Sequence, residues 1–158
     1  RVSRGCQGTG WARRAKSVDG VACLHGPGGR RGALTKAEIA VLRLPDTPAT
    51  ENTLNADTLA LMPKGAFIIN PGRGPLIEDD ALLAAQDAGH IAHATLDVFR
   101  VEPLPADHPY WAHPQVTVTP QIAAETRALT ASQAIVENIR RGEAGEPFVN
   151  LVDRKLGY

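Results

Sequence analysis

At 158 residues, 43% of them apolar and 22% charged, the chain has the size and composition of one soluble globular domain with a single core. The net charge is zero, yet residues 1–36 hold eight Lys or Arg against Asp19 alone, and the remainder holds nine against sixteen acids. This pattern lacks the aromatic interleaving of a nucleic-acid surface, so a nucleotide phosphate is the expected partner of the basic end, and neither nucleic acid nor membrane is expected.

Cys6 and Cys23 show neither metal-ligand spacing nor a disulfide framework. No metal is therefore expected, Cys23 reads as a buried small hydrophobe, and the reducing cytoplasm is the expected compartment. A start at Arg1, with no element in front of it, suggests a fragment.

Residues 1–36 are Gly- and Arg-rich with little periodicity, apart from a short apolar run at Val21–Leu24 that suggests a strand. Residues 39–44 form an apolar run of strand length stopped by Pro45, and Arg43 is the misfit within it. A charge inside such a strand costs several kcal/mol unless it is paired or at an edge. Residues 56–62 have helical spacing and end before Pro63; residues 66–69 read as a second buried strand. Residues 78–88 read as an acid-started helix closed by Gly89, and residues 91–96 as a third strand. After a Pro-rich loop, residues 116–119 suggest a fourth strand, and residues 123–141 a long helix with Leu129, Ile135 and Ile139 on a broken apolar face. Short apolar strands alternating with helices predict an α/β fold, a mainly parallel sheet covered on both faces.

Polar residues that could carry chemistry follow directly after these strands, where parallel sheets present their ligand crevice. Arg73 lies between Gly72 and Gly74. There it can grip a carboxylate through two parallel hydrogen bonds, or tie down its own loop by bonding carbonyls. Asp97 ends a strand and Glu102 follows in the loop. Each can orient a histidine or accept from an amide, and each can equally be an ordinary loop carboxylate.

Several longer motifs occur in order: Leu44-Pro45-Asp46-Thr47-Pro48-Ala49-Thr50, Asn70 to Gly74, Leu96-Asp97-Val98-Phe99 with Glu102-Pro103-Leu104-Pro105, Trp111-Ala112-His113-Pro114, and Val152 to Tyr158. From about Leu44 to Tyr158 the chain resembles the D-2-hydroxyacid dehydrogenases, closest to their glyoxylate/hydroxypyruvate reductase branch. The resemblance implies a partial Rossmann-type, doubly wound parallel sheet that lacks its first strand and the separate substrate domain. It divides the chain into a basic remnant (1–36), an NAD(P)-binding domain (37–143) and a C-terminal tail (144–158).

The same resemblance implies roles. Arg73 binds and polarises a small 2-oxo acid such as glyoxylate or hydroxypyruvate. Asp97 holds the nicotinamide carboxamide, Glu102 raises the pKa of a catalytic histidine, and Pro45 and Thr50 line the cofactor cleft. Gly10 to Lys16 looks like the end of the second Rossmann strand, with Arg13 and Arg14 placed for the 2′-phosphate of NADP, NAD being the other possibility; a solvated basic loop is the competing reading of that pair. A homodimer is implied for the full-length form.

Two departures follow. Gly5-Cys6-Gln7-Gly8-Thr9-Gly10 does not have the spacing of the dinucleotide-binding Gly-x-Gly-x-x-Gly turn, so a pyrophosphate cradle is not expected. Gln121 stands where the family carries its proton-donating histidine, and a carboxamide has no proton to give at neutral pH. His113 reads as structural, and His25, His90, His93 and His108 have no positional claim to the role. Alongside the reductase reading stands a second one, a truncated, non-catalytic dinucleotide-fold module.

Overall fold

The computed structural model describes residues 7–124 and 126–154. The Gly5-Cys6 part of the N-terminal run, Glu125 and the Lys155–Tyr158 end of the closing motif lie outside them. The segment least readable in sequence is structured: β1 (Gly8–Ala12) and β2 (Val21–His25) pair in parallel, and α1 (Gly26–Leu34) follows. A second parallel sheet runs in sequence order through β3 (Ile39–Val41), β4 (Ala66–Asn70), β5 (Ile91–Leu96) and β6 (Val116–Val118). Between its strands lie α2 (Ala56–Leu59), α3 (Asp79–Asp87) and 3-10 turns at Gly74–Leu76 and Pro109–Trp111; α4 (Ala128–Ala144) comes last.

Local chemistry explains where the helices start and stop. Asn55 caps α2 by accepting from the Thr58 amide at 3.0 Å, while the Thr58 hydroxyl accepts from the Asn55 amide at 2.8 Å. These two bonds satisfy helix-start donors that would otherwise be orphaned. Helix α2 is one turn rather than the predicted seven residues, because Pro63 follows closely, but Leu59 and Met62 are both buried as their spacing implied. Helix α3 begins with Asp79 and Asp80, acids that suit the positive end of the helix dipole, and Gly89 follows its end at a φ of 66°.

The core lies on one face of the four-stranded sheet. Ala40, Ile68 and Leu96 point into it and meet Leu54, Leu59, Leu76, Ile77 and Leu82. Each of the larger side chains contributes roughly 1.5–3 kcal/mol by leaving water.

The expectation of a sheet covered on both faces is corrected. The alternating residues of the same strands remain exposed: Ile39 at 60%, Val41 at 54%, Phe67 at 47% and Ile69 at 37%. An apolar run in sequence does not tell whether both faces find a neighbour. The long helix is corrected as well. It spans Ala128–Ala144 rather than 123–141, and none of its residues is buried, Leu129, Ile135 and Ile139 included. Cys23 is half-buried and its thiol is free, not a fully buried packing residue.

The reading of Arg43 is corrected too. Strand β3 ends at Val41, with one more ladder bond from the Leu42 amide to the Ile69 carbonyl at 2.9 Å. Arg43 therefore lies beyond the strand and is exposed, so the desolvation problem posed by a buried charge does not arise.

Candidate functional site

Because β3 to β6 are parallel, the segments that follow them all emerge at the same edge of the sheet. Arg73 follows β4 and Gln121 follows β6, two strands apart, or about 10 Å at the usual strand spacing. Asp97 and Glu102 follow β5, which lies between them.

The loop after β3 folds around Thr50. Its hydroxyl meets the Pro45 carbonyl at 2.6 Å and the Thr47 hydroxyl at 2.9 Å, and accepts from the Thr47 amide at 3.0 Å. Thr50 is fully buried. It shapes the Pro45 turn from inside and does not present its hydroxyl to a cleft.

The turn after β4 is tied by Asn70, buried at the strand end. Its side chain accepts from the Gly72 amide at 3.1 Å and donates to the Arg73 carbonyl at 2.9 Å. Arg73 itself is exposed, and one guanidinium nitrogen donates to the Gly72 carbonyl at 2.7 Å. That bond steers the side chain and leaves the other donors of the fork for a ligand. Both neighbouring glycines are required by space. A Cβ on Gly72 would lie 2.9 Å from the Leu42 carbonyl oxygen, and one on Gly74 would overlap the backbone of Phe99 and Arg100.

Asp97 is buried, and both its oxygens are engaged. One accepts from the Thr119 hydroxyl and from the Ile122 amide at 3.0 Å; the other accepts from the Ala123 amide at 2.8 Å. Burial pushes the carboxyl up, but these three donors prevail and hold it below the usual carboxylate value. Asp97 thus clasps the loop after β6. Inside that loop Gln121 is exposed, with a φ of 55° and its amide bonded to the Thr119 carbonyl at 3.1 Å. This left-handed backbone suits Asn, Asp or His better than most residues. Glu102 is exposed, and its Oε1 accepts from the Phe99 amide at 2.9 Å.

Sequence reasoning assigned no role to Arg100. Its guanidinium donates to Glu51 at 3.1 Å, to the Asn52 side chain, and to the Ile77 carbonyl at 2.7 Å. It therefore staples the Glu102 loop to the segments after β3 and after Arg73. Its partners lie 23 to 49 residues away, beyond the reach of any local pattern.

The histidines are placed elsewhere. His113 contacts Asp87 at 3.3 Å, His93 the Thr117 hydroxyl at 2.9 Å, His90 the Leu59 carbonyl at 3.0 Å, and His108 lies 3.7 Å from Asp79. Burial, reinforced by Asp79, pushes the Tyr110 phenol beyond its usual range, so Tyr110 remains neutral. Arg13 and Arg14 directly follow β1, at the carboxyl end of a parallel strand, Arg13 half-buried and Arg14 exposed. Among the described residues no group of His, Cys, Asp and Glu could hold a metal ion, and no helix is long and apolar enough to cross a membrane.

Comparison with known proteins agrees with this fold. A glyoxylate/hydroxypyruvate reductase A from Serratia proteamaculans is 43% identical over 148 residues, 94% of this chain and 47% of the relative. The chain thus spans about half the length of the curated relatives it matches. The crystal structure of a D-isomer specific 2-hydroxyacid dehydrogenase from Xanthobacter autotrophicus Py2 in complex with NADPH and MES is 51% identical, with a TM-score of 0.94, over 98% of this chain and 64% of that one. An NADPH-dependent glyoxylate/hydroxypyruvate reductase from Sinorhizobium meliloti, in complex with NADP and sulfate, has a TM-score of 0.91 at 31% identity, covering 98% of this chain and 50% of that one. The family described as D-isomer specific 2-hydroxyacid dehydrogenase, NAD binding domain, matches residues 5–123. With its Rossmann-type parallel sheet and its polar residues gathered at the carboxyl edge, the chain belongs to the D-2-hydroxyacid dehydrogenase family.

Proposed function

We propose that this chain forms the cofactor- and acid-binding part of an NADP(H)-dependent reductase of small 2-oxo acids such as glyoxylate or hydroxypyruvate. The observation that carries the reading is Arg73: a guanidinium steered by one bond to Gly72, with its remaining donors exposed at the edge it shares with Asp97, Glu102 and Gln121. The NADPH and NADP complexes of the Xanthobacter and Sinorhizobium proteins support the cofactor. The longer protein is read as a cytoplasmic homodimer.

The residues fit a dinucleotide in part. Arg13 and Arg14 suit a 2′-phosphate at the end of β1, and Pro45 and the Asp97 loop follow their strands at the same sheet edge as Arg73, where a cofactor would lie between them. A Gly-x-Gly-x-x-Gly turn does not occur in these 158 residues. Hydride is the chemistry a nicotinamide supplies when bound. Arg73 would pair with the acid's carboxylate and draw charge from its carbonyl, a charge-assisted contact that strengthens as the oxygen becomes anionic. Gln121 can donate a hydrogen bond to that oxygen but cannot transfer a proton.

Gln121 also favours the second reading, a binding module with little or no turnover. A chimera that adds the remainder of the Serratia relative separates the two. With Gln121 retained, hydroxypyruvate reduction should be slow, and Gln121→His should raise it about 10²- to 10⁴-fold, the usual worth of a positioned general acid. Turnover already at an ordinary enzymatic rate, about 1 to 10³ per second, with no gain from histidine, would show that another group delivers the proton.

A further inference from the structure

Arg43 follows β3 at the same edge of the sheet and has no role in the reading above. It lies two residues beyond β3, exposed, against the turn that carries Arg73: a Cβ on Gly72 would sit 3.5 Å from the Arg43 Cα. Among the described residues Arg43 makes no hydrogen bond or ion pair, and the Arg73 guanidinium bonds only its own neighbour's carbonyl. The nearby acids are committed or unpaired with it. Glu51 pairs with Arg100, Glu102 accepts from Phe99, Asp97 is consumed by the loop after β6, and Asp46 forms no ion pair.

Two exposed arginines on adjoining backbone can both offer donors to one anion that reaches them, and each adds its charge to the attraction. Arginine is also the side chain best shaped to grip carboxylate and phosphate oxygens in pairs. We propose that Arg43 and Arg73 form a two-arginine clamp selecting a ligand with two negative charges. The second charge comes either from a second carboxylate on the 2-oxo acid or from a phosphate of the dinucleotide. The clamp rests on the assignment of the acid's first carboxylate to Arg73.

Calorimetric titration of the intact chain at low salt tests this with three probes: oxamate as monoanion, oxalate as its dianionic counterpart, and inorganic pyrophosphate. Oxalate should bind roughly tenfold more tightly than oxamate, and the advantage should shrink as salt screens it. Arg43→Ala, at an exposed position where the fold should be kept, should erase the dianion preference and leave oxamate within about twofold. Loss of oxalate affinity in that variant assigns the second charge to a dicarboxylate substrate; loss for pyrophosphate alone assigns it to the dinucleotide. No measurable dianion binding, dianion affinities unchanged by Arg43→Ala, or an equal loss for oxamate would each overturn the clamp. An Arg73→Ala variant that binds every carboxylate normally would remove the clamp together with the reductase reading, whereas oxamate binding lost in Arg73→Ala but dianion affinities unchanged by Arg43→Ala would remove the clamp alone.

Discussion

Gly74 packs against Phe99 so closely that a β-carbon on the glycine would overlap the Phe99 carbonyl. The turn carrying Arg73 and the loop carrying Glu102 are therefore in backbone contact, and the spacing between arginine and carboxylate is set by the absence of one methyl group. Gly74→Ala should separate the two loops and destabilise the chain by about 1–3 kcal/mol or more, the usual cost of overpacking. Urea unfolding measures the loss. An unchanged midpoint would show that the two loops yield without cost.

Asp97 predicts a pH dependence. Its folded carboxyl titrates below the ordinary value of 3.8, so the unfolded chain takes up this proton first as pH falls. The clasp's contribution is complete above about pH 4 and fades as pH drops through the lower folded value. Asp97→Asn should cost about 1.5–3 kcal/mol at neutral pH, because its amide group would face a backbone donor instead of accepting from it. Unfolding measured from pH 7 to pH 2 should show the gap between wild type and variant closing at the acid end. A gap independent of pH would mean that shape and not charge sustains the loop.

The left-handed backbone at Gln121 should accept histidine without strain. Carbon-detected or proton NMR of Gln121→His should then show an imidazole titrating above its ordinary value of about 6.5, lifted by Glu102. Adding Glu102→Gln should return it toward that value. An ordinary titration in both proteins would leave Glu102 too far away to tune an acid at this position.

The uncovered face of the sheet predicts a contrast between alternate residues of neighbouring strands. Ile39→Thr or Val41→Thr should change stability by no more than about 0.5 kcal/mol, as for other exposed positions. Ile68→Ala, one strand away but pointing into the core, should cost about 2–5 kcal/mol. Comparable losses on both faces would show that another part of the protein, or a second copy, covers the outer one. The apolar patch should also bind a hydrophobic dye.

Much of the architecture was legible in the residues. The runs at 66–69 and 91–96 are strands almost to the residue, and Gly89 marks the end of α3, because strand patterning and helix stops act within a few positions. The motifs at Asn70–Gly74 and Leu96–Phe99 fall on one edge of the sheet for a related reason: in a parallel sheet, whatever follows a strand lies on the shared edge. In the basic segment before residue 36 the run at Val21–Leu24 announced β2, whereas β1 resisted reading because it holds Gly8, Thr9 and Gly10 where apolar residues would announce a strand.

Side-chain partnership was decided only by the tertiary structure. Asp97 meets Thr119, Ile122 and Ala123 across 22 to 26 residues, and Arg100 reaches Glu51 across 49. Such pairs exist because strand register carries distant loops to one edge, and no window of sequence contains both partners. The same holds for exposure: Val41 and Ile68 are equally apolar in sequence, and only the packing of α2 and α3 on one side of the sheet makes the second a core residue and leaves the first in water. Sequence alone determined which family the chain resembles, since that is a matter of order and identity. Which donors remain open on Arg73, and that Arg43 lies beside it, depended on where β3 ends and how closely Gly72 lets the next turn approach.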